Sequence, residues 1–305
     1  MRKFIKNILL FILPIALLAT TIEVIARKVP NPYSSKYEWM QKNAETVETL
    51  VLGSSHSFFG IRPNLLGIKS FSLANVSQQL NQDAALLEQW GNRYHSLKTV
   101  VATISIFSLF SQGLERGAES WRCRYYNIYM DCNLWPTDLS TYFEVANPSM
   151  AKEKIIKAIS GNKESGCDDF GWGTAYKLNN KDTTSWNNNE EAKAAIKRHT
   201  AKNWDYVEYN TAKLRRLIVY CKSHGIRLVL VTTPCWHSYY DRLPKEQTEK
   251  MYSIISQMTK EYNISYLDYM KDTRFNADDF YDSNHLSDVG ATKFSKILKA
   301  DIDNL

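Results

Sequence analysis

Cysteine is scarce in this chain. Five of the 305 residues are cysteine, and no Cys-x-x-Cys pair occurs. The missing pair argues against a structural zinc site, and five thiols are too few for a disulfide framework. Cys123 and Cys132 are close enough in sequence that one disulfide between them stays open. We expect neither a metal nor a cofactor.

Dense basic runs interleaved with aromatic residues are also lacking. There are 38 lysines and arginines against 32 acidic residues, so the formal net charge is only +6. Nucleic acid is therefore not an expected partner. Hydrophobic residues make up 44% of the chain and charged residues 23%, which is typical of a folded globular protein. We find no internal repeat.

Residues 7–22 form an apolar run without charge, preceded by Arg2, Lys3 and Lys6. Continued to about residue 28, the segment is long enough for a single membrane span, and the preceding cations favour a cytoplasmic N-terminus. We interpret residues 1–28 as an anchor in the cytoplasmic (inner) membrane, with the rest of the chain extracytoplasmic. A cleaved signal peptide would give the same location, and a buried core helix is the third reading.

Residues 29–45, with Pro30 and Pro32, are predicted to be a linker before a domain at 46–305. Short apolar runs predict strands at 48–53, 69–74, 97–107, 226–233 and 264–269. Helical periodicity marks 75–93, 206–224, 246–262 and 287–302. This alternation predicts an α/β fold, in which a mostly parallel sheet has helices on both faces. Ligand sites in such sheets lie beyond the carboxyl ends of the strands.

The alternation breaks down between residues 111 and 203. This stretch is polar and aromatic and is longer than an ordinary loop. We interpret it as an insertion over the active-site edge of the sheet, either a lid or substrate surface or a purely structural subdomain.

Two short blocks carry the candidate chemistry. The first strand runs into Gly53-Ser54-Ser55, a sharp turn that presents small hydroxyl residues at the start of a helix. The second block holds Asp282 and His285, three residues apart on a loop before the last helix. An aspartate there can fix the imidazole in the tautomer that accepts a proton from a serine.

These blocks resemble those of the SGNH/GDSL hydrolase superfamily. Gly53-Ser54-Ser55 is similar to its Gly-Asp-Ser block, and Asp282 with His285 to its Asp-x-x-His block. The resemblance implies a flavodoxin-like three-layer α/β/α sandwich and a catalytic triad of Ser55, His285 and Asp282. Ser54 in place of the Asp, together with the anchor, is most similar to the membrane-anchored branch related to the teichoic-acid D-alanylation protein DltD and the alginate-type O-acetylation proteins.

The sequence departs from that family at the oxyanion hole. The usual glycine of the second block and asparagine of the third are missing, since the corresponding segments contain Ala74-Asn75 and Ser105. The candidate donors are the backbone N–H groups of Ser55 and Ala74 and the side chains of Asn75 and Ser105. Loss of one such donor costs about 100- to 1000-fold in rate.

The resemblance implies a serine esterase or O-acyltransferase acting on acyl esters of an envelope polysaccharide or glycolipid. The alternative is a catalytically silent scaffold or binding subunit of an envelope-modification complex, with other subunits as partners. Further candidates for substrate contact are His237, Arg122 and Arg124. We expect His56, next to the nucleophile, to lie at the surface or at the helix start.

Overall fold

A five-stranded parallel sheet forms the centre of the domain. The computed structural model describes residues 1–305. The strand order is β2-β1-β3-β4-β5, and every neighbouring pair is parallel. The strands are β1 (Thr49–Leu52), β2 (Ser70–Ser72), β3 (Thr99–Thr103), β4 (Arg227–Thr232) and β5 (Ser265–Asp268), and a separate antiparallel hairpin consists of β6 (Phe280–Asp282) and β7 (His285–Leu286).

Twelve helices surround or extend from this sheet. They are α1 (Arg2–Arg27), α2 (Pro32–Asn43), α3 (Ser55–Gly60), α4 (Leu80–Gln89), α5 (Cys123–Tyr129), α6 (Pro148–Ile159), α7 (Thr183–Asn187), α8 (Glu190–His199), α9 (Val207–Ser223), α10 (His237–Tyr240), α11 (Lys245–Tyr262) and α12 (Asp288–Asp303). Each predicted strand and helix outside the insertion is present, with ends that shift by a few residues.

The sheet is buried on both faces, which explains its continuous apolar strands. Leu50, Val100 and Leu228 point to one face and pack in a core shared with α4, α9 and α11. Their neighbours in sequence point to the other face, where they pack against α12 through residues such as Phe294. The predicted three-layer α/β/α architecture is confirmed by this arrangement.

Residues 29–45 differ from the predicted linker because they contain a packed helix. Asn31 caps α2 by accepting from the backbone N–H groups of Tyr33 and Ser34, each at 3.0 Å. The side chains of Tyr33, Lys36 and Met40 are almost fully buried. This segment is therefore part of the folded domain.

Lys36 is the unexpected member of that buried face. Its Nζ donates to the carbonyl of Ala74 and lies 4.3 Å from the centre of the Phe58 ring. Burial lowers the pKa of Lys36 to about 7. Helix α2 is thereby attached to the loop after β2, close to the predicted active-site edge.

The insertion at 111–203 contains α5 to α8 and adds no strand to the central sheet. Its middle part is held against α3, since the Trp172 indole N–H donates to the Phe59 carbonyl at 2.7 Å and the Gly173 N–H to the Phe58 carbonyl at 2.8 Å. The insertion thus reaches the edge of the sheet where Ser55 lies. All five cysteines, including Cys123 and Cys132, are free thiols.

Helix α1 extends away from the domain. It is the one helix long and apolar enough to cross a membrane, and its most apolar stretch is not buried by any other part of the chain. Ala26, near its end, is fully buried. The helix is therefore free along most of its length and attached only by its last turns.

Candidate active site

Ser55 occupies the first position of α3, immediately after the turn that ends β1. Gly53 makes this turn with φ +122°, and a Cβ there would overlap Thr103 Oγ1 and lie 2.8 Å from Ser57 Oγ. Ser54 caps the helix through its side chain. Only glycine fits the turn, because the backbone conformation and the close neighbours both exclude a side chain.

Asp282 and His285 lie at the two ends of the turn between β6 and β7. The Asp282 carboxylate accepts the backbone N–H of Asn284 at 3.0 Å and that of His285 at 2.9 Å. Both bonds hold the carboxylate beside the imidazole of His285. The spacing of three residues between Asp282 and His285 therefore allows one tight turn to bring the carboxylate beside the imidazole.

The structure brings Ser55, His285 and Asp282 into one line of hydrogen bonds. Ser55 Oγ lies 2.8 Å from His285 Nε2, and His285 Nδ1 lies 2.9 Å from the Asp282 carboxylate. A carboxylate can only accept, so Nδ1 carries the proton and Nε2 is left to accept the Ser55 hydroxyl hydrogen. The Ser55 hydroxyl is only partly buried, so a substrate can approach it.

Asp282 is held in its ionised form. Burial raises the pKa of this carboxyl, but the charge and hydrogen bond of His285 and the two backbone N–H donors outweigh burial and lower it below its usual value. Its side chain keeps 23% of its exposure, against 9% for His285. A negative carboxylate is what stabilises an imidazolium during proton transfer.

Aromatic side chains form a wall around His285. The rings of Tyr176 and His285 are nearly perpendicular, with centroids 5.1 Å apart, and Tyr176 also stacks on Phe59 at 3.7 Å and on Tyr281 at 4.2 Å. The hydroxyl of Tyr176 has a pKa raised to about 12, chiefly by burial. The wall restricts the position of the imidazole and limits access of water from that side.

The four predicted oxyanion donors differ in their availability. The Ser55 backbone N–H has no acceptor within the protein. The Ala74 N–H donates to Ser72 Oγ at 3.2 Å. The Asn75 side-chain amide donates to the Leu73 carbonyl at 3.3 Å and to Gln78 Oε1 at 3.4 Å. Of these three donors, only the Ser55 N–H is free.

Ser105, the fourth candidate, ends a buried chain of hydrogen bonds through His56. The Asn284 amide nitrogen can only donate, so its 3.0 Å contact makes His56 Nε2 an acceptor. His56 Nδ1–H then donates to Ser105 Oγ at 2.5 Å. The Ser105 hydroxyl hydrogen is left without an acceptor inside the protein, and the residue is 5% exposed.

His56 is not at the surface, contrary to one of our two expectations. Its side chain is 4% exposed, and its ring centre lies 4.8 Å from that of His285. Burial, followed by the nearby His285 and His199, lowers its pKa well below the ordinary value, so the ring is neutral. His56 and Asn284 are next in sequence to Ser55 and His285, but neither block by itself shows that the two side chains pair.

The three residues predicted to contact substrate have their neighbours outside the Ser55–His285–Asp282 line. Arg122 pairs with Glu119 at 2.5 Å, and buried Arg124 donates to the Glu144 carbonyl at 3.3 Å. His237 is exposed beside Trp236. None of the three forms a hydrogen bond or an ion pair with Ser55, His285 or Asp282, and their role in binding substrate stays a prediction.

His199 is a further site residue that the sequence did not reveal. It comes from α8 of the insertion, and its ring centre lies 6.2 Å from that of His56. Its Nδ1 is 2.7 Å from the hydroxyl of Tyr239. Burial, and then the nearby charges of His285 and Arg198, lower its pKa to about 3. No group of three or more His, Cys, Asp or Glu side chains is arranged to hold a metal ion.

Asp83 is hydrogen-bonded to the turn that precedes Ser55. Its carboxylate accepts the Gly53 N–H at 2.8 Å and the Gln78 amide at 2.7 Å, and the side chain is 2% exposed. Burial raises the pKa of this carboxyl to about 7 despite those two donors. The pKa of an aspartate in an unfolded chain is about 4. Between these values the folded state binds more protons, so Asp83 makes stability fall as pH rises from about 4 to about 7.

We therefore expect Asp83→Asn to reduce this loss of stability. The amide oxygen can still accept from Gly53, whereas the titration is removed. Thermal melting of wild type and variant across pH 4 to 8 checks this, with exposed Asp241→Asn as the control. Parallel melting curves for Asp83→Asn and wild type over that range would contradict it.

Solved structures similar to this chain include three proteins described as an acylhydrolase, a lipase and an esterase. One is a putative acylhydrolase from Bacteroides fragilis, at 10% identity and TM-score 0.43, covering 87% of this chain and 94% of that one. A GDSL-like lipase from Bacteroides thetaiotaomicron has 11% identity and TM-score 0.43, covering 89% and 98%. A mutant acetyl-xylooligosaccharide esterase from Geobacillus has 13% identity and TM-score 0.40, covering 85% and 95%.

No curated protein matches the sequence. One family model does match, over residues 139–300, with the description "Protein of unknown function (DUF1574)". The matched region is just over half of the chain and includes Asp282 and His285. The chain therefore belongs to the DUF1574 family.

Proposed function

We propose that this protein is a serine esterase or O-acyltransferase that uses Ser55 as nucleophile, His285 as base and Asp282 as the group that orients the base. The single observation that carries the proposal is the hydrogen-bonded line from Ser55 Oγ through His285 to Asp282. This line has the distances and the tautomer that nucleophilic catalysis by serine requires.

The reaction would proceed through an acyl-enzyme. His285 Nε2 takes the proton of Ser55 while Oγ bonds to the carbonyl carbon of an ester. The leaving alcohol departs with that proton as the ester C–O bond breaks. An acceptor hydroxyl then gives its proton to Nε2 as its oxygen bonds to the acyl carbon. The bond between that carbon and Oγ breaks, and Nε2 returns the proton to Oγ, which restores Ser55. Water as acceptor makes the protein an esterase, and a bound sugar hydroxyl makes it a transferase.

Two donors are available for the negative charge that develops on the carbonyl oxygen. The Ser55 N–H has no internal acceptor, and the Ser105 hydroxyl, which accepts from His56, keeps its own hydrogen unpaired. In this proposal Ser105 replaces the missing asparagine of the third block, with His56 and Asn284 as positioning residues. A hole with fewer donors than usual predicts slow turnover of simple esters.

The proposed substrate is an acyl ester of an envelope polysaccharide or glycolipid. Helix α1 supports this proposal, because an apolar helix next to an N-terminal cluster of cations would place the domain on the outer side of the cytoplasmic membrane. Substrates and partner subunits of the cell envelope are then within reach. The resemblance to polymer-acylating proteins that the sequence suggested supports the same class.

The test is turnover of p-nitrophenyl acetate by the full chain in detergent. We expect slow but measurable release of p-nitrophenol that saturates with substrate, because the hydroxyl and the base are already in contact. A folded protein that shows no release above the detergent blank, and no acylation of Ser55 in intact mass spectra, would exclude the proposal.

One observation favours a second candidate, a catalytically silent binding subunit. The Ala74 N–H and the Asn75 amide already have acceptors in the protein, so the part of the oxyanion hole that the second block normally supplies is occupied. A silent subunit would still bind acylated glycan fragments but leave them intact. Mass spectrometry of such fragments after incubation separates binding from turnover.

A further inference from the structure

Exposed apolar side chains gather in one segment of the insertion. Between the end of α1 and the C-terminus, ten large hydrophobic side chains are exposed, and four of them fall between residues 139 and 159. They are Leu139 at 71% exposure, Phe143 at 49%, Ile156 at 56% and Ile159 at 82%. Such clustering in so short a stretch indicates a contact surface rather than scattered surface residues.

This segment is attached to the last turns of α1. The Val145 N–H donates to the Glu23 carboxylate at 2.9 Å, and the Arg27 guanidinium donates to the Tyr142 carbonyl at 2.6 Å. Lys157 donates to the Pro30 carbonyl at 3.1 Å. The end of α1 and residues 142–157 therefore form one connected unit.

A buried ion pair makes that unit rigid. Lys154 and Glu144 pair at 2.6 Å with side chains 8% and 0% exposed. Tyr129 donates to the same carboxylate at 2.7 Å and lies 3.4 Å from the Ala26 carbonyl of α1. Breaking a buried pair of this kind is costly, so α6 is firmly held beside α1.

The position of this unit relative to a bilayer follows from the length of α1. Only Ala19, Ile22, Glu23 and Ala26 of this helix lose substantial exposure to the domain, and they form one stripe along its last turns. The free part before Ala19 is about 27 Å long at about 1.5 Å per residue. The hydrocarbon core of a bilayer is about 30 Å thick. If α1 crosses it, α6 lies at the level of the outer lipid headgroups.

We propose that residues 139–163 form an interfacial platform that rests on the outer leaflet beside the anchor helix. This inference depends on the membrane location given under the proposed function. Ile156 and Ile159 share the exposed face of α6 with Lys152, an arrangement typical of helices that lie in the headgroup layer. Lys157 and Lys163 add positive charge, and Glu153 is the one exposed acid of the platform because Glu144 is buried in its pair with Lys154. This charge suits anionic lipid.

The platform would fix the orientation of the domain. An anchor joined by a flexible stalk lets the active site turn freely, whereas an anchor helix bonded to a lipid-contacting surface does not. The Ser55 site then keeps a constant direction relative to the membrane. For a membrane-bound acyl donor or a glycolipid acceptor, this reduces the orientational freedom lost on binding.

Photocrosslinking of the full chain in vesicles tests the platform. The vesicles contain phosphatidylcholine and phosphatidylglycerol, and p-benzoylphenylalanine replaces Ile156, Ile159, Leu10 or Ile68, one at a time. Leu10 reports on the anchor itself. Ile68 is 94% exposed and lies outside the platform, so it is the matched control. Intact-mass spectra measure the fraction of protein that carries a lipid adduct.

We expect lipid adducts at Ile156 and Ile159 about tenfold above those at Ile68, and comparable to those at Leu10. Adducts at Leu10 with only the Ile68 level at Ile156 and Ile159 would overturn the platform while leaving the anchor intact. Adducts at none of the three would instead remove the membrane location on which the proposed function relies. Crosslinks from Ile159 to another protein would assign this face to a protein partner and overturn the lipid contact.

Discussion

Replacing Ser55 with alanine should abolish ester turnover while leaving the fold intact. The hydroxyl is only partly buried and makes no hydrogen bond other than that with His285, so its loss removes the nucleophile and little else. We expect a fall in kcat of roughly 10,000-fold or more, since removal of a catalytic serine eliminates the covalent route. Steady-state kinetics on p-nitrophenyl acetate measures the loss.

Ser54→Ala is the matched control for this variant. Ser54 is the adjacent serine, and its hydroxyl only caps α3, accepting the His56 N–H at a long 3.4 Å. Loss of such a cap costs about 1 kcal/mol of stability and should leave turnover within a few-fold of wild type. Equal activities for Ser55→Ala and wild type would show that the hydrolysis comes from another residue or a contaminant.

Asp282→Asn should be nearly as severe, for a different reason. The amide keeps an oxygen for the two backbone N–H donors but removes the charge that fixes the His285 tautomer. Its NH₂ group can donate to Nδ1, which would put the imidazole proton on Nε2, where it can no longer accept from Ser55. We expect a loss of roughly 10,000-fold in kcat with a small change in KM.

Asp278→Asn serves as the control, because that carboxylate is exposed and has no side-chain partner. Thermal melting should show Asp282→Asn folded at neutral pH. If Asp282→Asn retained more than about a tenth of wild-type kcat, the carboxylate would not be required to hold the tautomer, and the assigned division of roles would be wrong.

The central sheet could be predicted because its signals are local. Runs such as 226–233 are apolar, rich in β-branched residues and bounded by Gly225 and Pro234, and they form strands buried on both faces. The helices α9 and α12 carry their apolar residues at helical spacing, so their cores follow from the sequence. The pairing of Ser55 with His285 was predicted from the resemblance of their two blocks to the SGNH/GDSL pattern, and the two side chains lie 2.8 Å apart.

The remaining parts of the site depend on contacts between distant segments. Tyr176 and His199 reach the site from the insertion, where no periodicity or spacing ties them to Ser55. Burial of His56 likewise depends on Asn284, 228 residues away along the chain. Such pairings are determined by tertiary packing, and the local pattern does not encode them.

Helix α2 was missed for a different reason. Its sequence contains a helix-start signal, but the two prolines beside it favoured a linker. Pro30 and Pro32 suggested a linker, yet Pro32 is at the first turn of the helix, where proline is well tolerated. Asn31 and Ser34 complete a capping box. The buried Lys36 on the same helix further obscured the apolar face, since a lysine is seldom fully buried.

Covalent labelling of the folded protein with a fluorophosphonate tests the Ser55 nucleophile most directly. Phosphonylation requires a serine hydroxyl activated by a neighbouring base and open to a small electrophile. Peptide mass spectrometry should place the adduct on Ser55 in wild type, strongly reduced in His285→Ala and absent in Ser55→Ala. A folded wild-type chain that carries no adduct, or carries it on another residue, would contradict the assignment of Ser55 as the nucleophile.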